Sequence, residues 1–100
     1  MEYELIITPE AQAHVNEACA WYSARSLRLG SEFLDEARAC MKSIREMPTR
    51  HTRIEENFRR APMKRFPYKV FFKLQRRRVV VFGVFHNARH PDVWRAQAVK

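Results

Sequence analysis

Between Tyr68 and Phe85 the chain carries two apolar runs separated by only four polar residues, a spacing that leaves few folds open. In the first run Tyr68, Val70, Phe72 and Leu74 alternate with Lys69, Phe71 and Lys73. Such alternation sends one set to a buried face of a strand and the other set to the opposite face. The second run, Val79-Val80-Val81-Phe82-Gly83-Val84-Phe85, is apolar on both parities. Neither of its faces is built for open water, so it is expected at the centre of the sheet. Gln75-Arg76-Arg77-Arg78 is too short for a crossover helix, and the two strands therefore pair antiparallel as a hairpin. The link holds neither Gly nor Asn-Gly, which leaves turn type and register open.

Upstream, Tyr3 to Ile7 reads as a short strand, and Thr8-Pro9-Glu10 as a helix start. Thr8 can cap free N–H groups, Pro9 suits the first helical position and Glu10 favours the positive helix end. Ala11, Val15, Ala18 and Tyr22 then form an apolar stripe ending near Arg25, with Trp21 and Tyr22 read as core. After a connector from Ser26 to Gly30, the residues Phe33, Ala37, Cys40, Ile44 and Met47 recur at helical spacing until Pro48 stops the helix. So short a link makes the helices antiparallel, with one shared apolar side that must cover a sheet face. Thr49 to Asn57 reads as loop, and Phe58 to Phe66 as a further strand in which Pro62 marks an edge or bulge. The tail from Asn87 is polar, either irregular or a short final helix. The expected fold is one α+β domain over residues 1–100, of order βααβββ. In it an antiparallel helix pair packs on one face of a mainly antiparallel four-stranded sheet.

The formal charge of +8 points to an anionic partner: nucleic acid, a membrane surface or an acidic protein. Charge alone does not choose among them. No stretch approaches the roughly 18 apolar residues of a membrane span, and the start lacks a signal-peptide pattern, so the expectation is a cytoplasmic protein with no membrane partner. Cys19 and Cys40 stand far from any CxxC spacing and read as two buried thiols.

Basic residues crowd the second half of the chain. By strand alternation Lys69 and Lys73 share the sheet face away from the helices, where residues near Arg65 join them to form a cationic groove with Phe71 and Trp94 as aromatic companions. The candidate target-binding set is Arg60, Lys64, Arg65, Lys69, His86, Arg89 and Trp94. Arg76 to Arg78 read as a turn kept soluble, and His14 and His51 as surface residues. His86, at the end of the valine strand, has two readings of equal standing. In one it transfers a proton in RNA cleavage while Arg65, Lys69 and Arg89 supply charge to the phosphorane. In the other it holds the tail against the sheet by a hydrogen bond. His86, His90 and Asp92 make no familiar ligand spacing, and no phosphate loop, HExxH, GxSxG or zinc-finger pattern occurs. Neither metal nor cofactor is expected.

Trp21-Tyr22, Phe33-Leu34, Arg65-Phe66-Pro67-Tyr68 and the valine strand running into His86-Asn87-Ala88-Arg89-His90-Pro91-Asp92-Val93-Trp94 resemble the ParE/RelE superfamily of toxins from type II toxin–antitoxin modules. The likeness is to its ParE-like plasmid stabilisation branch in particular, and it spans almost the whole chain. It implies a compact βααβββ fold and a hetero-oligomeric complex with a cognate antitoxin that wraps the toxin. RelE-like members cleave messenger RNA on the ribosome with scattered Arg, Lys, His and Tyr residues, whereas ParE-like members are associated with inhibition of DNA gyrase and lack that set. Here Lys69 stands where the ribonucleases tend to have arginine, and Trp94 near where some carry a tail tyrosine. Tryptophan cannot act as an acid or base at neutral pH. The resemblance thus implies a ParE-like toxin that binds its target. A ribosome-dependent endoribonuclease is the alternative, and a non-toxic basic nucleic-acid-binding module a second one. Either toxin implies an acidic antitoxin with an apolar helix or strand.

Overall fold

A computed structural model describes residues 3–89 and 92–98. In chain order the elements are β1 (Glu4–Ile7), α1 (Pro9–Arg25), α2 (Leu27–Glu46), a 3-10 turn (Pro48–Arg50), β2 (Thr52–Glu55), β3 (Phe58–Pro62), β4 (Tyr68–Gln75), β5 (Arg78–His86) and α3 (Val93–Ala98). The strands form one sheet in the order β1-β5-β4-β3-β2. The β1–β5 pair is parallel and the rest are antiparallel.

Local chemistry accounts for the helix ends. The Thr8 hydroxyl accepts from the Ala11 N–H at 3.1 Å, ahead of Pro9. The connector is Ser26 alone: its N–H donates to the Tyr22 carbonyl at 2.9 Å, closing α1, while its hydroxyl accepts from the Leu29 N–H at 3.4 Å, opening α2. Gly30 therefore lies inside α2 and not in a linker. A Cβ there would collide with the Ser23 hydroxyl on α1, so glycine serves close helix approach.

The sheet has five strands where four were expected. Thr52–Glu55, read as loop, pairs with β3 as the outer edge, with an irregularity between Arg53 and Glu55. Only Ile54 in it is apolar, and a short, charged, bulged edge strand has no periodicity to betray it. With β2 outside it, β3 is not an edge, and Pro62 is its last residue. The middle strand is β4. β5 is flanked by β1 and β4 over its first half, Arg78 to Val81. The hairpin turn is the two residues Arg76 and Arg77 between the paired Gln75 and Arg78, with Arg76 in the left-handed region at φ 54°.

The first core lies between the helix pair and one sheet face: Ala11, Val15 and Ala18 of α1, Phe33, Ala37, Met41 and Ile44 of α2, and Val70, Phe72, Val79, Val81 and Val84 of the sheet. Phe71, Phe82 and Phe85 point the other way and form a second core with Trp94 of α3. Phe82 is the extra residue of a bulge, since Phe71 faces Gly83 and Phe72 faces Val81. The final helix thus explains why β5 is apolar on both parities. No helix among the described residues is long and apolar enough to cross a membrane.

Phe72 is fully buried, and Phe72→Ala is expected to cost about 3–5 kcal/mol in denaturant unfolding. A near-neutral result would contradict its place in the first core.

Candidate functional site

The β4–β5 register sets the site at the far end of the hairpin, where Lys69 lies opposite Phe85 and Tyr68 opposite His86. There the Asn87 N–H donates to the Pro67 carbonyl at 2.8 Å, and a tight turn follows. The Arg89 N–H donates to the His86 carbonyl at 3.0 Å, and the Ala88 N–H donates to His86 Nδ1 at 2.9 Å. Lys69 Nζ donates to Asn87 Oδ1 at 2.9 Å, and the Tyr68 ring meets the imidazole edge-on at 5.1 Å. Arg60 arrives from β3, in register with Phe71. Arg60, Lys69, His86, Asn87 and Arg89 line a concavity of about 170 Å³ together with Phe71, Phe85 and Val93. Among the described residues three cations and no carboxylate border it, on a low-dielectric floor of aromatic rings. That arrangement concentrates positive potential and favours an anionic group.

The remaining candidates lie elsewhere. The Arg65 guanidinium pairs with Glu32 of α2 at 3.1 Å, and its N–H donates to Glu36 Oε1 at 2.6 Å. The hydrogen bond from Arg65 holds the Glu32 carboxyl below its usual range. Lys64 borders a separate concavity with Glu36, Cys40, Ser43 and His51. There burial raises the Cys40 thiol to about 11, and both Cys40 and Cys19, expected buried, are half-buried. The helix side of the molecule thus claims Arg65 and Lys64, and they do not join Lys69.

Trp94 is 5% exposed, with its ring 5.4 Å from Phe58 and 6.4 Å from both Phe71 and Phe82. The open aromatic-lined groove expected on this face is therefore corrected. Phe71 and Trp94 are packed into the second core, and Arg95 ties α3 down with two bonds to Glu55 at 2.7 and 3.0 Å. His90 lies outside the described residues, and among those described no group of three His, Cys, Asp or Glu is placed to hold a metal ion.

Two histidines read as surface residues are half-buried. His14 Nδ1 accepts from the Val84 N–H at 3.1 Å, and its ring lies 4.8 Å from that of Phe85. It stands three residues after Ala11 and four before Ala18, so the helical spacing already placed it beside the buried stripe. Trp21, conversely, read as core, is 52% exposed with Arg25 over its face at 3.4 Å. Asn87 gave no periodic or motif signal, and only the turn reveals its bond to Lys69.

No protein-family model matches the chain, and no curated protein matches it. A chain of the solved chromosomal ParDE TA system from P. aeruginosa superposes with a TM-score of 0.75 at 11% identity, covering 85% of this chain and 96% of that one. The fold is the one seen in that chain of the ParDE system. At that identity the likeness carries the architecture, the one that the ParE-like sequence resemblance implied.

Burial holds the His14 imidazole below its ordinary value of 6.5, and does the same at His51. A protonated His14 would also turn a donor toward the Val84 N–H. Since the folded values lie below the unfolded one, this stability is complete above about pH 6.5 and is lost as pH falls through the folded values. Thermal unfolding from about pH 7.5 down to about pH 5 should show a decline that is flatter in a His14→Ala, His51→Ala double variant. Equal slopes would contradict the assignment.

Proposed function

We propose that this chain is the toxin of a type II toxin–antitoxin module, acting in the cytoplasm, held by an acidic antitoxin, and stopping its target by binding it. DNA gyrase is the target that the ParE-like resemblance implies. The fold and the cationic concavity support a toxin of this class, and the observation that favours binding over cleavage is the hydrogen bond made by His86. Its Nδ1 accepts the Ala88 N–H, so the neutral imidazole carries its proton on Nε2 and presents a donor there. In that bond His86 holds the turn that carries Asn87 and Arg89, the role of a support for the cations around it. Nearby, burial raises the Tyr68 hydroxyl above its ordinary value, keeping it protonated, and Trp94 offers no titratable group. Arg60, Lys69 and Arg89 then serve as charge for docking.

The grouping of those three cations around His86 also favours the ribosome-dependent ribonuclease, and the two readings part on measurement. Under the binding reading, expression without a partner arrests growth, the purified chain inhibits gyrase supercoiling, and His86→Ala keeps the arrest. An Arg60→Glu, Lys69→Glu, Arg89→Glu triple variant loses it. Cleavage of messenger RNA in translating extracts that disappears in His86→Ala would replace this reading with the ribonuclease. Harmless expression with steeply salt-dependent nucleic-acid binding would replace it with a non-toxic module.

A further inference from the structure

Beyond Val81 the outer edge of β5 has no strand beside it, since β1 pairs only with Arg78 to Val81 before the chain leaves as α1. The helix closes this side instead. His14 Nδ1 accepts from the Val84 N–H at 3.1 Å, so α1 rather than a strand satisfies that amide. Between the two elements lies a concavity of about 440 Å³, bordered by His14, Glu17, Trp21 and Tyr22 of α1 and by His86 and Arg89. Its size falls in the range of small-ligand sites, roughly 300–1,000 Å³. It is distinct from the concavity of Arg60 and Lys69, with which, among the described residues, it shares Phe85, His86 and Arg89.

Two of the bordering groups are histidines whose tautomer the main chain fixes. His14 Nδ1 takes the Val84 N–H and His86 Nδ1 takes the Ala88 N–H at 2.9 Å, so each neutral ring carries its proton on Nε2. Among the described residues neither Nε2 has a bonded acceptor, which leaves two N–H donors from separate elements on the border of one concavity. The Arg89 guanidinium, 5.7 Å over the Phe85 ring, is the third donor group. Burial lowers the His14 value, and the nearby charges of Glu17 and Arg89 act on it in opposite senses, so the three groups are close together. The remaining wall is aromatic. Trp21 and Tyr22 meet at 84° with ring centroids 5.0 Å apart, and Trp21 is 52% exposed although Arg25 lies over its face. A planar ring laid against one of them meets the other edge-on, and both are favourable aromatic geometries.

Donors and rings call for different parts of one ligand. The donor set matches the oxygens of a phosphate monoester, the ring walls match a heteroaromatic base, and Glu17 can accept from a base amino group or a sugar hydroxyl. A bare anion would leave the rings unused, and an apolar ligand would leave three donors unpaired. We propose that this concavity binds a free nucleoside monophosphate, its phosphate held by His14, His86 and Arg89 and its base against Trp21 and Tyr22. The site goes beyond the toxin reading and holds or fails independently of it.

The test is titration of the full chain with each of the four ribonucleoside 5′-monophosphates, followed by calorimetry and by the side-chain NMR signals of His14 and His86. At least one nucleotide should saturate with both histidine signals moving, and should bind about tenfold or more tightly than its own nucleoside or inorganic phosphate. Trp21→Ala and Arg89→Ala, each checked for native circular dichroism, should each weaken it about tenfold. An Arg60→Ala, Lys69→Ala double variant should bind as the parent does. No saturation at millimolar concentration with any of the four overturns the proposal. So does inorganic phosphate binding as tightly as the nucleotides, and so does loss of binding in the double variant, which would move the ligand to the other concavity. A 5′-phosphorylated hexanucleotide that binds about tenfold more tightly than every mononucleotide overturns the free ligand in favour of a strand.

Discussion

The β4–β5 ladder turns large apolar side chains to both of its faces. A sheet with that pattern cannot leave either face to water. Phe72, Val79 and Val81 require the helix pair, while Phe71, Phe82 and Phe85 require a second cover, supplied by Trp94 on a helix of only six residues. The rest of the chain is arranged to meet these two demands. α1 and α2 approach closely at Gly30, and β1, β3 and β2 extend the ladder on either side. Arg95 braces the small helix against Glu55.

Covering the second face confines the candidate site. An open basic face would have been broad and aromatic, suited to stacking. With the rings of Phe71 and Trp94 withdrawn into a core, what remains is the end of the hairpin, where Arg60, Lys69 and Arg89 stand around a histidine whose Nδ1 is engaged by a main-chain N–H. Those groups offer positive charge and hydrogen-bond donors. On the other side of His86 the same turn completes the free edge of β5, so one short segment, His86 to Arg89, borders both concavities.

Much of the fold was legible because it rests on local periodicity. The alternation of β4, the spacing of Phe33, Ala37 and Ile44, the cap at Thr8 and the stop at Pro48 each state an element directly. β2 was illegible because an edge strand is selected for charge and brevity rather than for an apolar pattern. The seven candidate target-binding residues divided for the same kind of reason. Arg60, Lys69 and His86 stand on neighbouring strands, and Arg89 lies in the turn that follows β5. Lys64 and Arg65 follow the end of β3, where Glu32 and Glu36 of α2 bind Arg65, and Trp94 is taken into the second core.

The sequence by itself determined that this chain forms a hairpin-centred sheet with a helix pair on one side, because strand and helix periods are properties of neighbouring residues. It also determined an excess of positive charge. Tertiary structure alone decided that Trp94 is withdrawn from solvent, that Arg65 faces α2, and that His14 supplies the acceptor for a strand edge 70 residues away. Those outcomes depend on which groups meet across the fold, and residue spacing along the chain carries no information about a partner's identity or angle of approach.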